Sequence, residues 1–232
     1  MSENFLERLK LVEQRIAKAC ANAGRSRDHV RLLAVSKTKP PEAVREAAEC
    51  GVRLFGENRI QEAQSKIPLC PNGLEWHLIG HLQTNKARQA VALFDRIHSV
   101  DSLRVAEALQ REAEKKKKRL PVLIQVNIAG EERKSGVEAE GVLDLIQAIS
   151  KMENLLVEGL MTIPPYDENP EETRPVYKRL REVWGEIKAI KLPRVNMQHL
   201  SMGMSHDFET AVEEGATLVR VGTAIFGERT QA

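Results

Sequence analysis

Apolar residues recur at steps of three and four from the start of the chain: Phe5, Leu9, Val12, Ile16 and Ala19. That spacing places them on one face and predicts a helix. Ser2 can cap its start, and Gly24 can end it in the left-handed conformation. The pattern then changes. Residues 30–36 (VRLLAVS) form a short apolar run of the length of a strand buried on both faces. Pro40 and Pro41 open a helix expected to reach Cys50 and stop at Gly51. Further strands are expected at residues 52–56, 75–80, 96–100, 121–128, 155–163, 196–202 and 217–221. Amphipathic segments separate them. One opens at Asp101, one carries Val142, Leu145, Ile146 and Ile149, and a long one carries Val176, Leu180, Val183, Ile187 and Ile190.

Strands joined by helical crossovers pair in parallel. Eight such units close into a (β/α)8 barrel, here an α/β TIM barrel with an extra N-terminal helix. An open doubly wound sheet is the competing architecture, and no GxGxxG follows any strand to favour it. No linker, low-complexity tract or composition shift marks a second domain, so residues 1–232 are expected to form one barrel domain.

Charge and composition narrow the partners. Lys plus Arg is 35 and Asp plus Glu is 33, a formal net charge of +2. That balance gives no bulk attraction to nucleic acid or anionic lipid. Aromatic residues are 4% of the chain, too few for base-stacking platforms. No apolar run approaches the roughly 20 residues of a membrane helix, and the N-terminus lacks a signal pattern. Cys20, Cys50 and Cys70 are far apart and form no CxxC, which suggests neither disulfides nor zinc. A reduced, cytoplasmic protein is expected. The run Lys115-Lys116-Lys117-Lys118-Arg119 reads as a solvated helix terminus complementing the macrodipole.

The active face of a barrel is built from the C-terminal strand ends. Lys37 directly continues the first apolar strand. A lysine there is either salt-bridged or chemically active, because desolvation or neighbouring cations yield the neutral amine that attacks a carbonyl. Lys39, beside Pro40, is expected to be solvated. The loops after the seventh and eighth strands carry Ser201, Gly203, Ser205 and Gly222-Thr223. They suit either a phosphate or ordinary turn chemistry, with Asp207 able to cap the next helix. Arg220 lies two residues before Gly222 and faces either a ligand or an ion-pair partner. His77, His81, His199 and His206 show no metal-ligand spacing and read as structural. Neither GxSxG nor a P-loop is present.

Several stretches together identify a resemblance: AVSKTKP (34–40), FGENRIQE (55–62), WHLIGHLQTNK (76–86), KSG (134–136), GLMTI (159–163), LSMGMSHDFETAVEEG (200–215) and RVGTAIFG (220–227). They resemble, in order and over nearly the whole chain, the pyridoxal phosphate homeostasis proteins of the YggS/PROSC type. That family is similar to the N-terminal barrel of alanine racemase. The resemblance implies a protein that holds pyridoxal 5′-phosphate (PLP) as a lysine Schiff base, serves PLP homeostasis and has no established turnover. It implies Lys37 as the Schiff-base lysine. Ser201, Gly222 and Thr223, helped by Met202 or Gly203, would bind the phosphate. Arg220 would face the ring nitrogen, and Asn58 would line the pocket. It also implies a cofactor-passing role for Lys134, and PLP-dependent apo-enzymes as partners. No metal is implied, and polar helix faces permit a monomer.

A PLP-dependent racemase is the alternative. Racemisation needs a second acid/base on the far face of the cofactor, where the racemases use a tyrosine from a second domain. No such domain is expected after the eighth strand here, which leaves Tyr166 as the candidate. A cofactor-free lysine aldolase is the third reading.

Overall fold

The computed structural model describes residues 3–131 and 135–228. Its strands are β1 (Arg31–Val35), β2 (Leu54–Glu57), β3 (Glu75–Leu78), β4 (Arg96–Val100), β5 (Leu120–Asn127), β6 (Val137–Glu138), β7 (Leu155–Met161), β8 (Val195–Met204) and β9 (Leu218–Val221). All pairings are parallel. The order β4-β3-β2-β1-β9-β8-β7-β5 is closed by a β4–β5 pairing, so eight strands make the expected barrel. The two-residue β6 lies outside this ring on the end of β5, with Val126 opposite Val137. A strand that short carries no legible period.

The helices are α1 (Glu3–Asn22), α2 (Pro41–Glu49), α3 (Ile60–Lys66), α4 (Ala87–Leu93), α5 (Leu103–Lys115), α6 (Val142–Ile149), α7 (Arg174–Ala189), α8 (Phe208–Glu213) and α9 (Thr223–Phe226). The element after β9 is a single turn, too short to cover its strand. The extra N-terminal helix fills that place. Phe5 packs on Phe226 with ring centroids 5.4 Å apart, Arg8 Nε donates to Ile225 O, and Arg15 makes a two-point ion pair with Glu209. Gly24 takes φ +63°, the left-handed turn expected after α1. Ser2 lies outside the described residues.

Local expectations are corrected in three places. Ser102, not Asp101, is the N-cap of α5. Asp207 makes no side-chain cap to α8; its carboxylate accepts instead from Met204 N–H and the Tyr177 hydroxyl. The basic run after α5 is not wholly solvated. Lys118 is half-buried and its ammonium donates to Val91 O and Phe94 O, capping the carbonyl end of α4. Burial lowers its pKa.

The main core lies between sheet and helices and includes Ile16, Phe55, Phe94, Leu109 and Ile146. A smaller apolar plug fills part of the barrel interior: Leu33, Val35, Leu54, Ile79, Leu123, Met161 and Leu218. The rest of the interior is polar, with buried His77, His98, Gln125, Ser201 and Arg220. No helix among the described residues is long and apolar enough to cross a membrane.

Candidate functional site

A cavity of about 700 Å³ opens at the C-terminal ends of the strands. Such a volume suits a small-molecule site. Every barrel strand except β4 contributes lining residues from its end or the loop after it. Lys37 is among them. Leu33 and Val35 point into the barrel, and Lys37 follows at the same period of two.

The turn carrying Lys37 is fastened from behind. Thr38 takes φ +63°, an uncommon conformation for a residue with a branched side chain. Its N–H donates to Glu62 Oε1. Lys66, on the same side, is 4% exposed and its ammonium reaches Glu57 Oε1 at 2.7 Å, Glu62 Oε1 at 2.7 Å and Ser36 O at 2.8 Å. Ser36 Oγ also donates to Glu57. Burial pushes the Glu57 carboxyl above its ordinary range, against the lowering effect of Lys66 and Ser36. One buried cation therefore ties together the ends of β1, β2 and α3, and the backbone on either side of Lys37 is anchored to that knot.

Asn58 also lines the cavity. Its backbone sits against Gly80, where a Cβ would lie 2.1 Å from Asn58 O. Only glycine permits this approach of the β2 and β3 ends.

The eighth and ninth strands supply hydroxyls and N–H groups. Ser205 Oγ accepts from Gly222 N–H at 3.1 Å and Ala224 N–H at 3.4 Å, joining the two loops. Met204, Ser205, His206, Gly222 and Thr223 line the cavity. Ser201, Met202 and Gly203 are not among its lining residues. β8 runs on to Met204, so these three are still inside the strand rather than in the loop after it. Ser201 points into the barrel interior toward His98 and Arg220, and Met202 is buried in the outer core. Gly203, at φ +89°, packs where a Cβ would lie 2.6 Å from Ala211 Cβ. The loop is braced by Asp207, 1% exposed, which accepts from Met204 N–H and from Tyr177 Oη, each at 2.6 Å. Burial first, and then the Asp207 charge, push the Tyr177 hydroxyl far above its ordinary pKa.

Arg220 reaches the cavity from β9 while its guanidinium is buried. Nη1 donates to Ser201 Oγ and Nη2 to Thr162 O, both at 2.8 Å. Both acceptors are neutral oxygens, and burial lowers the pKa of the group. A planar donor with five N–H groups and no capacity to accept is thus presented to the cavity floor.

The remaining expected positions divide. His81 and His206 line the cavity, with His81 Nδ1 3.2 Å from Ser135 Oγ and His206 Nε2 2.6 Å from Asp167 O. Tyr166 also lines it, 76% exposed, with its ring centroid 4.9 Å from that of His206. Lys39 Nζ donates to Glu228 O at the surface. Lys134 lies outside the described residues. No group of acids, cysteines and histidines that could hold a metal occurs among the described residues. Residues not singled out from the sequence are Gln125, whose amide donates to Ser135 O, and His98, fully buried below the cavity. The signal for both was a polar residue at alternate positions of an otherwise buried strand.

Comparison with known proteins gives one consistent answer. The alanine racemase N-terminal domain family matches residues 9–230. The pyridoxal phosphate homeostasis protein of Aquifex aeolicus is 49% identical over 227 residues, covering 97% of this chain and 99% of that one. The structure of PipY from Synechococcus elongatus without PLP superposes with a TM-score of 0.86 at 38% identity, covering 96% of this chain and 100% of that one. The structure of PipY with PLP bound gives 0.80 at 39% identity, covering 91% and 100%.

Proposed function

The chain belongs to the pyridoxal phosphate homeostasis proteins, within the alanine racemase N-terminal domain family, and on that premise we propose that its cavity holds PLP on Lys37. The observation that carries the reading is the convergence of three unlike groups on one cavity: an amine from β1, a guanidinium from β9, and a hydroxyl-bearing loop pair after β8 and β9. PLP supplies an electrophilic aldehyde, a phosphate and a pyridine nitrogen. The three protein groups match these in chemistry, and the cavity volume accommodates a molecule of that size.

Lys37 would supply the amine for the aldehyde, held by the turn that Lys66, Glu57 and Glu62 anchor. Ser205, Gly222 and Thr223 would take the phosphate, with Ser205 replacing Ser201 in that role. Asn58 would fix the ring laterally. Arg220 would donate to the ring nitrogen. A guanidinium cannot act as a proton source at neutral pH, so it keeps that nitrogen unprotonated and the ring a poor electron sink. That chemistry favours retention of the cofactor over turnover, and the names of the relatives agree with a homeostatic role. We therefore read the protein as a non-catalytic PLP carrier whose recipients are PLP-dependent apo-enzymes. The racemase alternative would need Tyr166 as the far-face acid/base, and that side chain is 76% exposed, with its ring against that of His206.

The test is the near-ultraviolet and visible spectrum of the purified protein beside Lys37→Ala, before and after adding PLP. A band of covalently held cofactor in the parent, missing from Lys37→Ala, is the expected result. Identical spectra from the two proteins would contradict the assignment. Sustained racemisation abolished by Tyr166→Phe would overturn the carrier reading alone.

A further inference from the structure

Beneath the cavity a single file of side chains crosses the barrel interior. Arg220 Nη1 lies 2.8 Å from Ser201 Oγ, and Ser201 Oγ lies 3.0 Å from His98 Nδ1. His98 Nε2 lies 2.9 Å from His77 Nδ1, and His77 Nε2 lies 2.8 Å from Glu75 Oε1. The residues come from β9, β8, β4 and β3, and the four from Arg220 to His77 are 4% exposed or less. Glu75 ends the file at the opposite mouth of the barrel, a third exposed and paired with Arg31.

With both rings neutral, the two ends dictate the direction of every bond between them. Arg220 can only donate. An ionised Glu75 can only accept, and its hydrogen bond from His77, then Arg31, hold it well below the ordinary carboxylate range. His77 therefore donates from Nε2 and, as a neutral ring, accepts at Nδ1. His98 must then donate from Nε2 and accept at Nδ1, so Ser201 gives it the hydroxyl proton and accepts from Arg220. With both imidazoles neutral, one arrangement satisfies all four contacts: both rings protonated on Nε2. Burial, the largest influence on each ring, favours the same neutral state. Burial opposes the Arg220 charge, and the Asp207 carboxylate supports it through space. The file adds three polar side chains whose dipoles all point the same way.

We propose that His77, His98 and Ser201 are positioning residues for the cofactor ring: they fix the plane of Arg220 and aim its remaining N–H donors into the cavity. The inference rests on the reading that the cavity takes PLP with its ring nitrogen toward Arg220. None of the three is among the residues lining the cavity. Their effect is exerted through the arginine.

Two measurements on the full chain test this. Long-range proton–nitrogen correlation spectra of the imidazoles, taken without PLP at neutral pH, should show His77 and His98 both as neutral Nε2–H tautomers. An Nδ1–H or charged ring at either position overturns the file. The second uses Ser201→Ala, which removes one hydroxyl and leaves the barrel packing in place. With PLP labelled with nitrogen-15 in its ring, the ring-nitrogen resonance should move in Ser201→Ala, and PLP affinity should fall about tenfold, as for loss of a hydrogen bond to a charged group. Ser150→Ala, buried at the far end of α6, should change neither. An unmoved ring-nitrogen resonance in a Ser201→Ala protein that binds PLP as tightly as the parent overturns the inference while leaving the cofactor reading intact. A parent that takes up no PLP overturns both.

Discussion

Lys66 and Glu57 form a buried pair in which each ion depends on the other. Removing only the cation leaves a carboxylate in a place where Oε2 already lacks a partner. Lys66→Met should therefore destabilise the fold by about 3–5 kcal/mol, the usual cost of stranding a buried charge. The double change Lys66→Met with Glu57→Gln should recover much of that. Urea unfolding of the three proteins measures both, and a single variant as stable as the parent would refute the account of the Lys37 turn. At this scale the sequence was informative where a residue broke a pattern. Lys37 stood out because a cation continued an apolar strand. Glu57 and Lys66 did not, because each is unremarkable alone and the pairing exists only once α3 folds back over β2.

The ends of elements decide which residues meet the cavity. The apolar pattern of the seventh expected strand stops at Met202, whereas hydrogen bonding carries β8 to Met204. That two-residue extension moves the start of the loop from Gly203 to Ser205, which makes Ser205 the cavity hydroxyl, while Ser201 lies within the strand on either bound and points into the barrel. A strand end rich in Ser, Gly and Met has no hydrophobic edge to read. The opposite holds for α1, whose period was legible throughout. Its packing against α8 and α9 compensates for the single-turn α9. Ile16 is fully buried in that interface, and Ile16→Ala should cost about 2–5 kcal/mol. Leu11→Ala, on the exposed face at 56%, should stay within about 0.5 kcal/mol of the parent. Equal thermal shifts from the two would contradict the role given to α1.

Across the whole molecule, alternation of eight strands with helices pointed to a closed barrel, with no GxGxxG to favour the open doubly wound sheet that the same alternation allows. The polar interior was not legible. It depends on which strand faces which across the barrel, and the contacts Glu75–His77–His98–Ser201–Arg220 join positions up to 145 residues apart, 220 − 75. This interior predicts acid sensitivity. Burial holds His77 and His98 below the ordinary histidine range and lowers His199 to about 4. Histidines in the unfolded chain take up protons near pH 6.5, whereas these do not when folded. The unfolded state then binds more protons, so stability is lost as pH falls from about 6.5 toward 4. The depressed Glu75 adds a further loss below about pH 4.5, where the unfolded carboxylate protonates first. The urea midpoint should therefore fall between about pH 8 and pH 5, and a flat or rising midpoint would contradict the neutral assignment.

The central claim is that this barrel holds PLP at one lysine chosen by the geometry of β1. Borohydride reduction of the PLP-loaded protein, followed by peptide mass mapping, locates the bound cofactor directly. The account predicts a single added phosphopyridoxyl mass on the peptide containing Lys37. Label on another lysine with Lys37 unmodified would contradict it.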